Sequence, residues 1–91
     1  MKITFSQHAL QQMFSREISV EDVKNAISFG EIIQEYPDDR PYPSRISLYY
    51  KANTPLHIVY AINIQDNEII VITAYHPDEN QWNSDFKTKQ N

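Results

Sequence analysis

Apolar residues recur at helical spacing in the first third of the chain and at alternate positions through most of the rest. Ser6 has the chemistry of an N-cap, and the pattern over 7–15 predicts a helix with Ala9, Leu10, Met13 and Phe14 on its apolar face. Ile18 and Ser19 interrupt that pattern. Ser19 then caps a second helix, with Asp22 at the position of a capping box and Val20, Val23, Ala26 and Ile27 as the apolar stripe. Gly30, the one glycine in the chain, falls where a helix ends on a left-handed residue. Beyond it the period becomes that of strands, expected at 31–36, 44–51, 56–64 and 68–76. The stretch Pro37-Asp38-Asp39-Arg40-Pro41-Tyr42-Pro43 is too rich in proline for a strand interior and predicts a stiff connection. Pro77 closes the last strand, and the polar tail after it carries Trp82 and Phe86 as anchors to the core. Two helices followed by consecutive strands predict a single α+β domain over residues 1–91: two N-terminal helices packed on one face of a four-stranded antiparallel sheet.

The register of the last hairpin decides which side chains meet. A three-residue turn at Gln65-Asp66-Asn67 sets Ile64 opposite Glu68. His57 then lies opposite Tyr75 and Val59 opposite Thr73 on one face, with Ile58, Tyr60, Ile62, Ile70, Ile72 and Ala74 on the other. A turn of other parity reverses this, because a one-residue slip moves every side chain to the opposite face.

Ninety-one residues allow one domain. The chain has no cysteine, which removes disulfides and thiolate metal sites and fits a reducing, cytoplasmic compartment. The first residues lack the apolar core of a signal peptide, and no apolar run approaches the roughly 20 residues of a membrane span. Net charge is −4, which argues against a general affinity for phosphates. The charge is uneven, however. No acidic residue occurs from Arg40 to Gln65, where Arg40, Arg45 and Lys51 give +3; Lys87 and Lys89 add +2 near the end; the remainder carries −9. An acidic chain of this kind is expected to present one basic face.

Three residue sets offer chemistry. His8, Gln12 and Arg16, spaced by four, form one polar line on the first helix, a pattern shared by a proton-transfer and phosphate-holding edge and by a plain solvated face. His57, Tyr75 and Thr73 meet on the sheet in the expected register, either as a site or as an interior histidine satisfied by its neighbours. Arg40, Tyr42, Arg45, Tyr49, Tyr50, Lys51 and Tyr60 interleave cations with aromatic rings, as a single-stranded RNA surface does and as cross-strand packing also does. His76, before Pro77 at a strand end, reads as merely exposed. The three histidines are scattered, there is no His-x-x-x-His, and no zinc site or cofactor is expected.

The chain resembles the bacterial family catalogued as domain of unknown function 4258. The resemblance rests on His8-Ala9, Met13, Arg16, Ile18, Asp22-Val23, Gly30-Glu31-Ile32-Ile33, the run from Tyr36 to Ser44, Pro55-Leu56-His57-Ile58-Val59, Thr73-Ala74-Tyr75-His76-Pro77 and Trp82. That family is similar to small RelE-like and BrnT-like toxins, so the resemblance implies a RelE- or barnase-like toxin fold. It further implies a metal-independent endoribonuclease paired with an antitoxin, commonly a zinc-finger helix-turn-helix protein. On this reading His8 and His57 are the acid/base pair, Arg16 clamps the phosphate, and Tyr75 and Thr73 hydrogen-bond the reacting groups. Arg40, Arg45, Tyr49, Lys87 and Lys89 bind the RNA, and no metal takes part. The alternative is a non-catalytic protein- or RNA-binding module on the same fold. The chain departs from the family pattern at Gln12, where arginine is common, at Glu17, where glycine is common, and near its end, where lysines replace arginines.

Overall fold

Both helices start where their caps dictate. In the computed structural model, which describes residues 1–90, Ser6 accepts the Ala9 N–H and opens α1 (Gln7–Ser15). Ser19 accepts the Asp22 N–H while the Asp22 carboxylate accepts the Ser19 N–H, a complete capping box that opens α2 (Val20–Phe29). Asp22 is buried and also meets Lys51 at 3.2 Å, tying α2 to the sheet. Burial opposes ionisation of Asp22, but the Ser19 N–H, the Lys51 ammonium and the Ser19 hydroxyl together hold its carboxyl below the ordinary range.

The sheet has five strands, and it is mixed. The expected strands are β2 (Glu31–Tyr36), β3 (Ser44–Lys51), β4 (Thr54–Asn63) and β5 (Glu68–Tyr75). A further strand, β1 (Lys2–Phe5), precedes the helices and pairs in parallel with β5, giving the order β1-β5-β4-β3-β2. This corrects the four-stranded antiparallel expectation. Four residues make a weak periodic signal, but Ile3 and Phe5 alternate with Lys2 and Thr4 and pack on the core. Thr4 Oγ1 donates to Glu68 at 2.6 Å and fastens this edge.

The helices cover one face of the sheet. Ala9, Met13, Ile18, Val23 and Ala26 pack there on Leu56, Ile58, Tyr60, Ile69, Val71 and Ala74. Leu10 and Phe14 belong to the neighbouring stripe of α1, 100° round, and they are exposed, Phe14 at 88%. Small Ala9 lets the helix approach the sheet closely, so the 9/13 stripe faces inward.

The β4–β5 register departs from expectation twice, and the departures cancel where it matters. The turn is one residue longer, with Asn63 opposite Glu68 and Asn67 in the left-handed region at φ 52°. A bulge at Ile72 then restores parity, so that Val71 faces Tyr60 while Thr73 faces Val59 and Tyr75 faces His57. Ile72 is pushed outward, and its carbonyl accepts the Ser6 hydroxyl. No helix among the described residues is long and apolar enough to cross a membrane.

Two backbone positions carry specific constraints. Gly30 is extended (φ −73°, ψ 167°), not left-handed as expected. Its role is steric: a Cβ there would lie 2.3 Å from the Ala26 carbonyl oxygen and 2.8 Å from that of Leu48. At the helix ends the left-handed residue is instead Glu17, at φ 57°. It closes α1 in a Schellman arrangement, with Ile18 N–H on the Met13 carbonyl at 2.9 Å and Glu17 N–H on that of Phe14 at 3.4 Å. Gly30→Ala is therefore expected to cost roughly 1–3 kcal/mol in urea unfolding, by forcing two backbone segments apart. Glu17→Gly is expected to raise stability by about 1 kcal/mol, by removing left-handed strain; a loss of stability would contradict that assignment.

Candidate functional site

The second sheet face is closed by the C-terminal segment. After Pro77 the chain folds back as a small flap in which Trp82 bridges Lys89 and the Gln90 side chain donates to the Glu79 and Trp82 carbonyls. Asp78 starts the flap: its carboxylate accepts the Asn80 N–H and its carbonyl accepts those of Gln81 and Trp82. Trp82 is buried and meets the His57 ring edge-on, centroids 4.5 Å apart. Trp82 thus anchors the tail with its ring, as expected from the sequence, whereas Phe86 does so through its backbone carbonyl.

His57 is wholly buried under this flap. Its Nε2 lies 2.7 Å from the Phe86 carbonyl oxygen and its Nδ1 lies 3.2 Å from the Tyr75 hydroxyl. A carbonyl only accepts, so Nε2 carries the hydrogen. Burial pushes the His57 pKa below its ordinary value, the Phe86 carbonyl opposing. The ring is thus neutral at pH 7, Nδ1 is bare, and the Tyr75 hydroxyl donates to it. Burial, with a contribution from Tyr36, pushes the Tyr75 phenol upward and keeps that proton in place. Phe86 itself sits at φ 57°, a left-handed conformation unfavourable for a phenylalanine, at the residue whose carbonyl holds His57.

Tyr75 also reaches the open end of β5, where a cleft of about 390 Å³ is lined by Arg16, Tyr75, His76, Asp78 and Gln81. The Schellman turn brings Arg16 there, and its Nη1 donates to the Ala74 carbonyl at 2.9 Å, fixing the guanidinium and leaving its other donors free. His76 spans the same end of the sheet: Nε2 lies 3.3 Å from the Arg16 carbonyl oxygen and Nδ1 lies 3.4 Å from that of Pro55. Both partners are carbonyl oxygens, so each contact is made when the nitrogen facing it carries the hydrogen. The cleft thus combines a guanidinium, an imidazole, a phenol and the Asp78 carboxylate, whose Oδ1 is committed to the flap turn.

The expected site residues are only partly assembled. Arg16 and Tyr75 meet, and His57 stands directly behind Tyr75. His8 and His57 are not a pair: His8 is exposed on α1, whereas His57 projects from the face opposite the helices and is sealed by Trp82 and Phe86. Thr73 is half-buried on the His57 face but does not line the cleft. His76 completes the site in its place. Its position inside the Thr73–Pro77 family segment was the available signal.

The expected basic face does not form. Arg45 and Tyr49 are half-buried and belong to the side that carries the helices. Lys87 pairs with Glu31 at 3.0 Å, which pushes its ammonium pKa upward. Lys89 lies 5.7 Å above the Trp82 ring on the flap. Arg40 is exposed in the proline-rich connection. These cations are divided between opposite sides of the sheet, so no single RNA-binding surface unites them. Among the described residues, no three His, Cys, Asp or Glu side chains gather where they would hold a metal.

Comparison with known families gives one result: a family model described as Domain of unknown function (DUF4258) matches residues 5–76, most of the chain and short of the flap. Neither a curated protein nor a solved structure matches the chain.

The buried His57 gives stability a defined pH dependence. Its folded pKa lies below the unfolded value, so the unfolded chain takes up the proton first. Stability is complete above about pH 6.5 and falls as pH is lowered toward the folded value. Urea midpoints at pH 7.5 and 5.5 are expected to show this loss, and His57→Leu is expected to flatten it; equal slopes in both proteins would contradict the assignment.

Proposed function

Because this chain belongs to the family described as Domain of unknown function (DUF4258), we propose for it the role that the toxin resemblance implies and that its cleft can serve, an RNA-directed toxin acting as an endoribonuclease. The observation that carries this reading is the convergence of Arg16, Tyr75 and His76 in one open cleft. RNA cleavage through the ribose 2′-OH needs a base to take the proton of the attacking oxygen, an acid to protonate the leaving 5′-oxygen and a cation for the charge that builds on phosphorus. Arg16 supplies the cation, with its fork steadied by the Ala74 carbonyl. His76 takes the 2′-OH proton as base and returns it to the leaving 5′-oxygen as acid, an imidazole being the side chain suited to this near neutral pH. Tyr75 lines the cleft, with its hydroxyl held by His57. His8 and Thr73 have no place in this constellation. A cognate antitoxin, in the family pattern a zinc-finger helix-turn-helix protein, would silence the chain by covering the cleft.

A second reading is favoured by a specific observation. The cleft holds one imidazole, not two, because His57 is sealed behind Tyr75. A non-catalytic module that binds RNA or a protein through the same cleft needs no second proton-transfer group.

Induced expression is expected to arrest bacterial growth, and purified protein is expected to cut RNA alone or on ribosomes. Arg16→Ala and His76→Ala should each lower cleavage about 10²–10³-fold with the fold intact, while Lys24→Ala on the far helix serves as control. Folded protein that neither arrests growth nor cuts RNA in either setting excludes the enzyme. RNA binding that survives His76→Ala without cleavage selects the binding module.

A further inference from the structure

The flap is bonded chiefly to itself. Gln90 N–H donates to the Gln81 carbonyl, Asn83 N–H to that of Thr88 and Phe86 N–H to that of Asn83. The Asp78 and Asp85 carboxylates accept the N–H groups of Asn80 and Lys87. Its polar attachments to the sheet, among the described residues, are the Phe86 carbonyl on His57 Nε2 and the Lys87–Glu31 ion pair. Of residues 78–90 only Trp82 is buried, and its ring packs on His57. None of these residues belongs to the apolar cluster between helices and sheet. Such a unit can leave the sheet with its own bonds and that cluster intact, a local opening distinct from global unfolding.

The His57 ring makes two of the three attachments, and its surroundings suit only the neutral form. It faces Leu48 on β3 and the Tyr75 hydroxyl on β5, and from the flap an indole ring and a carbonyl. No carboxylate is offered to it. Asp78 and Asp85 hold flap N–H groups, Glu79 is exposed, and Glu31 on β2 is paired with Lys87. Lys89 lies over Trp82, and Tyr36 acts on Tyr75. A proton on Nδ1 would therefore place an uncompensated charge beneath the flap, against the hydrogen that Tyr75 donates. Opening gives that charge to water, breaks one hydrogen bond and one ion pair, and frees Phe86 from its left-handed backbone at φ 57°. The flap also reaches the cleft, where Asp78 and Gln81 line the space beside Arg16 and His76. We propose that residues 78–90 are a lid that carries one wall of the cleft and is latched by neutral His57, so that protonation of His57 releases the lid and takes the cleft apart.

Trp82 is the one tryptophan in the chain, so a single indole resonance reports the lid. Relaxation dispersion by nuclear magnetic resonance on the full chain follows that resonance between pH 7.5 and 5.5, with the backbone amides of Val23 and Ile58 as the core reference. The open population is expected to rise by up to about tenfold for each pH unit below 6.5, because the open form binds a proton that the closed form resists. Val23 and Ile58 should show no such exchange. His57→Gln, which keeps a donor for the Phe86 carbonyl but does not titrate, is expected to abolish the pH dependence. Should that variant unfold, the native chain decides the point, since the His57 ring must take up its proton together with the move of the Trp82 resonance. A ring that protonates while Trp82 stays in place overturns the proposal. So does Trp82 exchange that is independent of pH, that Val23 and Ile58 share equally, or whose pH dependence survives His57→Gln. The lid is tested with no ligand present, so its failure leaves the cleavage reading standing, and a chain that cuts no RNA leaves the lid standing.

Discussion

A neutral imidazole held between a carbonyl and a phenol organises this protein's second sheet face. Leaving either polar partner of His57 unmade in a fully buried position would cost roughly 1–3 kcal/mol. That penalty links three parts of the chain distant in sequence: His57 on β4, Tyr75 at the end of β5, and Phe86 in the flap. Trp82 closes the assembly by packing on the ring. The β4–β5 register makes the histidine and tyrosine neighbours, and the flap decides which nitrogen is bare. The arrangement therefore depends on a segment that lies beyond the residues the family model matches.

The elements were legible in the sequence wherever one side chain carries the instruction. Ser6 and Ser19 mark both helix starts, and the change from helical to alternating periodicity at Gly30 marks the first strand after them. The His57–Tyr75 pairing was legible for a less secure reason: a longer turn and the Ile72 bulge offset each other at that end of the hairpin. Nothing local announces the bulge; the carbonyl of its extra residue, Ile72, accepts the hydroxyl of Ser6, far away in sequence. Strand β1 escaped notice because its partner β5 lies more than 60 residues away and four residues hold little periodic information. Gly30 was found for the wrong reason. Sequence suggests a special φ at a lone glycine, whereas here close backbone contact demands it and Glu17 takes the left-handed position.

Chemistry was less legible than architecture because it turns on burial. His8, His57 and His76 are equivalent as letters, yet one is exposed on a helix, one is sealed, and one spans a sheet end beside Arg16. Spacing along α1 singled out Arg16, and the end of that helix meets the end of β5 through the Ala74 carbonyl. The same spacing selected His8, two turns earlier, with no such contact to confirm it. The run of cations and tyrosines misled for a related reason. Alternation sends Arg45 and Tyr49 to the helix side, while Lys87 is engaged by Glu31 and Lys89 lies over Trp82. An acid-free stretch of sequence is not a basic surface once its strands send side chains to both faces.

The division of the three histidines is the central claim, and acylation by diethylpyrocarbonate, mapped by peptide mass spectrometry at neutral pH, tests it most directly. His8 and His76, both exposed, should be modified readily in the folded chain. His57 should stay protected until denaturant or loss of Trp82 opens the flap. Modification of His57 in the native protein at the rate of the other two would contradict the sealed imidazole, and with it the arrangement that holds the Tyr75 hydroxyl on His57.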